Sequence, residues 1–103
     1  MKKQMILTLA AVTMALTAST VFAASGEELY KQHCAACHPD GGNIIKPQKT
    51  LHKKDLAKNG IKDVKGVVKS MRNPGAGMTK FDTKTISDKD AKAIGEYVLK
   101  TFK

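Results

Sequence analysis

The 103-residue chain has no tryptophan, two cysteines, three prolines and only 5% aromatic residues. Acidic residues are also scarce, nine against 18 Lys and Arg, for a formal charge of +9. Each shortage excludes something. The length leaves room for one domain and none for a large multidomain enzyme. Neither an alternating strand pattern nor an internal repeat is present, so sheet folds and solenoids drop out. No apolar stretch after residue 23 is long enough to cross a bilayer, which takes about 20 residues.

A further shortage is hidden by the overall composition. The chain is 42% hydrophobic, but residues 1–23 hold 15 of those residues. From Ala24 onward Leu, Ile, Val and Phe number 15 of 80, on a segment that still carries a charge of +7. That lies just under the roughly 20% below which a highly charged chain tends to stay disordered. Something has to supplement its core.

The missing apolar residues sit in a segment built for removal. Lys2 and Lys3 precede an apolar stretch from Met5 to Leu16, then small residues and Val21-Phe22-Ala23. A basic start, a short apolar run and a small-residue end describe a secretory signal peptide, cleaved after Ala23 or Ala24. A membrane anchor would need a longer run with fewer threonines. The expected organisation is a signal peptide at 1–23 and one domain at 24–103, periplasmic, with no integral membrane segment after cleavage.

The mature segment reads as four short helices with long connections, hence all-α. Ser25-Gly26-Glu27-Glu28 has capping-box spacing and predicts a first helix from Gly26 to about Ala36, with Leu29 and Tyr30 inward. Pro39-Asp40-Gly41-Gly42-Asn43 is turn chemistry. A second helix fits Lys53 to Asn59, stopped by Gly60. Asp63 caps a third, where Val64, Val67, Val68 and Met71 share one face, and Asn73-Pro74-Gly75 ends it. The glycine-containing stretch to Thr85 has no helical period. Ser87-Asp88-Lys89-Asp90 opens the last helix, which buries Ala91, Ile94, Tyr97, Val98 and Phe102.

Cys34-Ala35-Ala36-Cys37-His38 carries the chemistry. A disulfide, a thioredoxin-like pair and covalent haem attachment compete for it. A disulfide here would close a tiny loop and stabilise little. A thioredoxin-like site expects a βαβ context that is absent. Haem attachment uses every residue: the Cys34 and Cys37 thiols add to the two porphyrin vinyl groups, and His38 becomes an axial ligand of the iron. A buried porphyrin also replaces the missing core side chains, as a staple does in other small scaffolds. For the sixth ligand the candidates are Met71, Met78, His33 and His52. Met71 belongs to the apolar helical face and His33 is tethered beside Cys34. Met78 stands in an unpatterned loop, Pro74-Gly75-Ala76-Gly77-Met78, whose glycines allow close backbone approach to a flat ring. The reading is His38/Met78 ligation, with His52 as the alternative.

With these residues placed, the chain resembles a class I c-type cytochrome, a monohaem protein of the cytochrome c6 type. The resemblance runs from about Glu27 to Phe102. Beyond the CAACH motif it rests on Gly41-Gly42-Asn43, Pro47-Gln48-Lys49-Thr50-Leu51, the glycine-rich loop to Met78 with Phe81 behind it, and Ser87-Asp88…Ile94…Tyr97-Val98. It implies crossed N- and C-terminal helices, with Gly26, Leu29 and Tyr30 against Ile94, Tyr97 and Val98. It also implies that the Pro47 carbonyl accepts a hydrogen bond from the second nitrogen of His38. Two residues depart from the family: Thr79 stands where Pro usually follows the Met ligand, and Gly95 where Ala is more usual.

Charge is unevenly spread. Residues 46–72 hold eight lysines and Arg72 against Asp55 and Asp63. Such a bias could steer docking onto an acidic partner or simply solvate the surface. Nucleic acid is not expected as a partner, because aromatic residues do not interleave with the lysines. The function expected is a monomeric, soluble one-electron carrier exchanging electrons with redox proteins, not an enzyme. The alternatives are a haem enzyme or gas sensor with a labile sixth ligand, and a docking module for which haem would be superfluous.

Overall fold

The computed structural model describes residues 24–103, all helix and loop with no strand among them. The expected signal peptide at 1–23 lies outside the described residues. Four α-helices follow in order: α1 Gly26–His33, α2 Lys53–Lys58, α3 Val64–Arg72 and α4 Asp88–Thr101. A short 3₁₀ turn covers Pro39–Gly41 between α1 and α2.

Three of the four α-helices start where side-chain caps dictate. The Ser25, Asp63 and Ser87 side-chain oxygens accept hydrogen bonds from the backbone N–H groups of Glu28, Gly66 and Asp90. Each satisfies a donor that the first helical turn leaves without an intrahelical partner. The first helix ends earlier than its pattern suggests. The Tyr30 carbonyl accepts from both Cys34 N–H at 2.8 Å and Ala35 N–H at 3.0 Å. This shared acceptor widens the last turn, so the chain leaves the helix at His33 and the CAACH motif continues as linked turns.

Helix α4 organises the core. Ala91, Ile94 and Val98 on its inner face are at most 1% exposed, and Ile86 just before it is equally enclosed. Tyr97, expected on that buried face, is only half-buried. Helix α1 crosses α4 on one side and α3 packs along another. Both contacts use glycine as a notch. A Cβ on Gly26 would lie 2.9 Å from both the Ala93 carbonyl carbon and the Tyr97 Cβ. A Cβ on Gly95 would lie 3.0 Å from the Val64 Cγ1 methyl. The unusual Gly95 thus seats α3 closely against α4, which offsets the helix propensity it gives up.

At the C-terminus Phe102 closes the back of the molecule. Its ring lies 5.3 Å from Tyr30 and 5.9 Å from Tyr97, centroid to centroid. Its backbone carbonyl accepts from Lys53 N–H and ties the end of α4 to the start of α2.

Candidate cofactor site

The missing core volume is a cavity. About 330 Å³ of open space lies among the helices, within the size range of cofactor pockets. Its apolar floor includes Val67 and Met71 from α3, Leu56 from α2, and Ile94 and Val98 from α4. Cys34, Cys37 and His38 border the same cavity, as does the loop from Asn73 to Thr79 with Met78. The CAACH residues and the glycine-rich loop, far apart in sequence, therefore face one space.

His38 is held at two points. Its ring Nδ1 lies 2.7 Å from the Gly42 carbonyl oxygen. Its backbone carbonyl accepts hydrogen bonds from the Tyr30 hydroxyl and from Gly41 N–H. The acceptor on the ring differs from the family-based expectation of Pro47. Asp40 and Gly41 both adopt left-handed backbone, at φ 52° and 78°. These two residues fold the chain back so that Gly42, four residues on, reaches the imidazole first.

Both thiols are free of disulfide bonding. Burial pushes the Cys34 thiol up to about 11, so it is neutral at pH 7. Cys37 is exposed at the rim.

The two methionines are placed very differently. Met71 is 4% exposed and belongs to the packed core, although it also touches the cavity. Met78 is 38% exposed on its loop, an apolar side chain with little protein covering it. Gly77 beside it sits at φ 92°, a conformation that glycine adopts without strain. His33 also borders the cavity, with its ring edge-on to Phe81 at 6.0 Å. His52 is not among the cavity's residues; its ring lies edge-on to Phe102, 5.9 Å away.

Asn43 shapes the rim. Its side chain donates to the Lys49 carbonyl and accepts from Ile45 and Lys46 N–H, folding residues 43–49 into a compact loop. Lys46 and Lys49 border the cavity, and Ile44 and Ile45 stand 65% and 53% exposed on the same loop. From the sequence Asn43 reads as turn chemistry, and nothing there marks Tyr30 or Gly42 as part of the site. Their partners lie across an irregular turn that no periodicity marks.

Two thiols, an imidazole and a thioether bordering one apolar cavity form a donor set that fits a covalently bound haem. The fold and this site define a small class I c-type cytochrome. Residues 22–98 match the family described as cytochrome c oxidase, cbb3-type, subunit III, and the chain belongs to that family of cytochrome c domains, with a cytochrome c6-like character. It is 39% identical over 83 residues to cytochrome c6 of Synechocystis sp., covering 81% of this chain and 68% of that one. To cytochrome c6 of Cyanidium caldarium it is 36% identical over 74 residues, spanning 72% of this chain and 66% of the relative. Among solved structures, outer membrane cytochrome F of Geobacter sulfurreducens superposes with a TM-score of 0.75 at 47% identity, over 77% of this chain and 100% of that one. Cytochrome c6C of Synechococcus sp. does so with a TM-score of 0.69 at 31% identity, over 75% and 93%. The cofactor of this class is one covalently attached haem c with its iron, and the class is one of electron-transfer proteins, not enzymes.

Proposed function

We propose that the protein is a soluble periplasmic one-electron carrier whose haem is tethered by Cys34 and Cys37 and ligated by His38 and Met78. The observation that carries this reading is that all four residues border one cavity, whereas Met71, which also lines it, is buried in the packed core. His52, the alternative ligand, packs against Phe102 instead. When bound, the haem supplies an iron that alternates between ferric and ferrous states. The chain does the rest. Cys34 and Cys37 fix the group in place, His38 is oriented through Gly42, and the buried faces of α3 and α4 keep water from the cavity floor. The Met78 thioether, a soft ligand, favours the ferrous state relative to a second imidazole. If His38 and Met78 both held the iron, oxygen and peroxide would find no open site, which would separate a carrier from a haem enzyme or gas sensor.

Charge supports docking onto redox proteins with acidic surfaces. None of the eight lysines between 46 and 69 takes part in an ion pair among the described residues. The two carboxylates of that stretch are engaged locally: Asp55 accepts from the Thr50 hydroxyl at 2.6 Å and Asp63 caps α3. The lysine field is therefore uncompensated, and it begins at the cavity rim beside Ile44 and Ile45. With two haem propionates the mature charge is about +5, enough to quicken association with an acidic surface at low salt. Export is supported by the basic, apolar and small-residue order of residues 1–23.

Carbon monoxide binding tests the carrier reading. The ferrous holoprotein is expected to bind it slowly or not at all; rapid stoichiometric binding would mean an open or labile sixth position and favour a sensor or enzyme. Mass spectrometry of the exported protein is expected to find an N-terminus at Ala24 or Ser25, and a retained leader contradicts the periplasmic assignment.

A further inference from the structure

The strained turn after the CAACH motif is braced from behind. Asp40 and Gly41 are consecutive left-handed residues, and only Gly adopts that conformation freely. Two contacts oppose its relaxation. The buried Tyr30 hydroxyl donates to the His38 carbonyl and accepts from Gly41 N–H at 3.1 Å, bridging both ends of the turn. The Phe102 ring lies flush against Gly41, where a Cβ would come 2.5 Å from its Cδ1. What the turn delivers is the Gly42 carbonyl, 2.7 Å from His38 Nδ1.

We propose that Tyr30 is a positioning residue for the axial imidazole: its hydroxyl fixes the 38–42 turn, and the turn holds the Gly42 carbonyl on the His38 Nδ1–H. The proposal rests on His38 ligating the iron through Nε2, which leaves the proton on Nδ1. An acceptor on that proton raises the basicity of the ring as a ligand. A more basic ligand favours ferric iron and lowers the reduction potential. Losing the brace lengthens the Nδ1–H···O bond and moves the potential upward. Tyr30 thereby tunes the carrier without touching the haem site itself.

Tyr97 offers an internal comparison. Its ring lies 5.3 Å from Tyr30 in the same aromatic cluster. Its hydroxyl has no hydrogen bond to the turn among the described residues, so removing it disturbs packing and solvation without unbracing the turn.

The test uses ferrous and ferric holoprotein carrying Tyr30→Phe or Tyr97→Phe. Reduction potential is measured by spectroelectrochemical titration, exchange of the His38 Nδ1 proton by NMR on the ferrous form, and stability by thermal melting. Tyr30→Phe is expected to shift the potential upward and to speed Nδ1 proton exchange; Tyr97→Phe is expected to leave both at their wild-type values. If Tyr30→Phe fails to mature, Phe102→Leu loosens the same turn while keeping the hydroxyl, and its shift is expected in the same direction. A lowered melting temperature with unchanged potential and unchanged exchange overturns the proposal and leaves Tyr30 a packing residue. Failure of the underlying reading looks different: the wild-type ferrous spectrum would then lack the strongly shifted ring protons of an iron-bound His38.

Discussion

Gly26 and Ala93 meet backbone to backbone where α1 crosses α4. A methyl group at Gly26 would lie 2.9 Å from the Ala93 carbonyl carbon, and backbone there cannot step aside. Gly26→Ala is therefore expected to cost about 2 kcal/mol or more, the range of overpacked cores. Gly95→Ala is its counterpart. The neighbour is a Val64 methyl at 3.0 Å, which can give slightly, while the helix gains up to about 1 kcal/mol of propensity. Its expected change lies within about 1 kcal/mol of zero. Chemical denaturation of both holoproteins checks the contrast.

The uncompensated lysines predict a salt-sensitive encounter. Replacing Lys46 and Lys49 at the cavity rim with Glu is expected to slow electron transfer to an acidic partner about tenfold at low ionic strength. The same change at Lys100, on α4 outside the lysine-rich stretch, is expected to matter little. Stopped-flow rates across a salt series read this out. The difference should shrink as salt shortens the screening length to a few ångströms.

Asp82 carries a pH dependence. Backbone N–H groups of Thr85 and Lys84 donate to its carboxylate at 2.9 and 3.0 Å, and these bonds hold its pKa below the usual carboxylate range. A carboxyl lowered on folding adds stability above its unfolded pKa and loses it as pH falls through the folded value. Asp82→Ala is expected to lower the melting temperature at pH 7, with the gap from wild type closing as the pH is taken below that range. Melting curves across an acid series give the result.

Burial of the Cys34 thiol, pushed up to about 11, predicts a slow response of the haem-free chain to alkylating reagents at that position. Cys37, exposed at the rim, is expected to react first. Peptide mapping after brief alkylation of the haem-free protein distinguishes the two. Equal labelling would contradict this difference in burial.

How much of this was legible in the sequence depends on whether a residue acts locally. Ser25, Asp63 and Ser87 cap helices through bonds three residues long, so each helix start could be read directly. Val67 and Met71 on α3 declared themselves by spacing. The end of α1 did not, because the Tyr30 carbonyl is shared between two donors, and such sharing leaves no sequence pattern. The acceptor for His38 was also missed. Family resemblance points to Pro47, but a left-handed pair at Asp40 and Gly41 brings Gly42 there instead. Tyr30 read as an inward-facing aromatic; that its hydroxyl reaches residues eight and eleven positions away emerges only from the folded turn. The cavity itself was foreshadowed by what the composition lacked.

In the proposed ligation Met78, not Met71, completes the iron's coordination, and the optical spectrum of the oxidised variants distinguishes the two. Met71→Ala is expected to keep the sulfur-to-iron charge-transfer band while losing about 2–4 kcal/mol of stability, as buried methionines do on truncation. Met78→Ala is expected to lose the band and to open the sixth position to exogenous ligands. A band that survives without Met78 would rule out Met78 as the ligand.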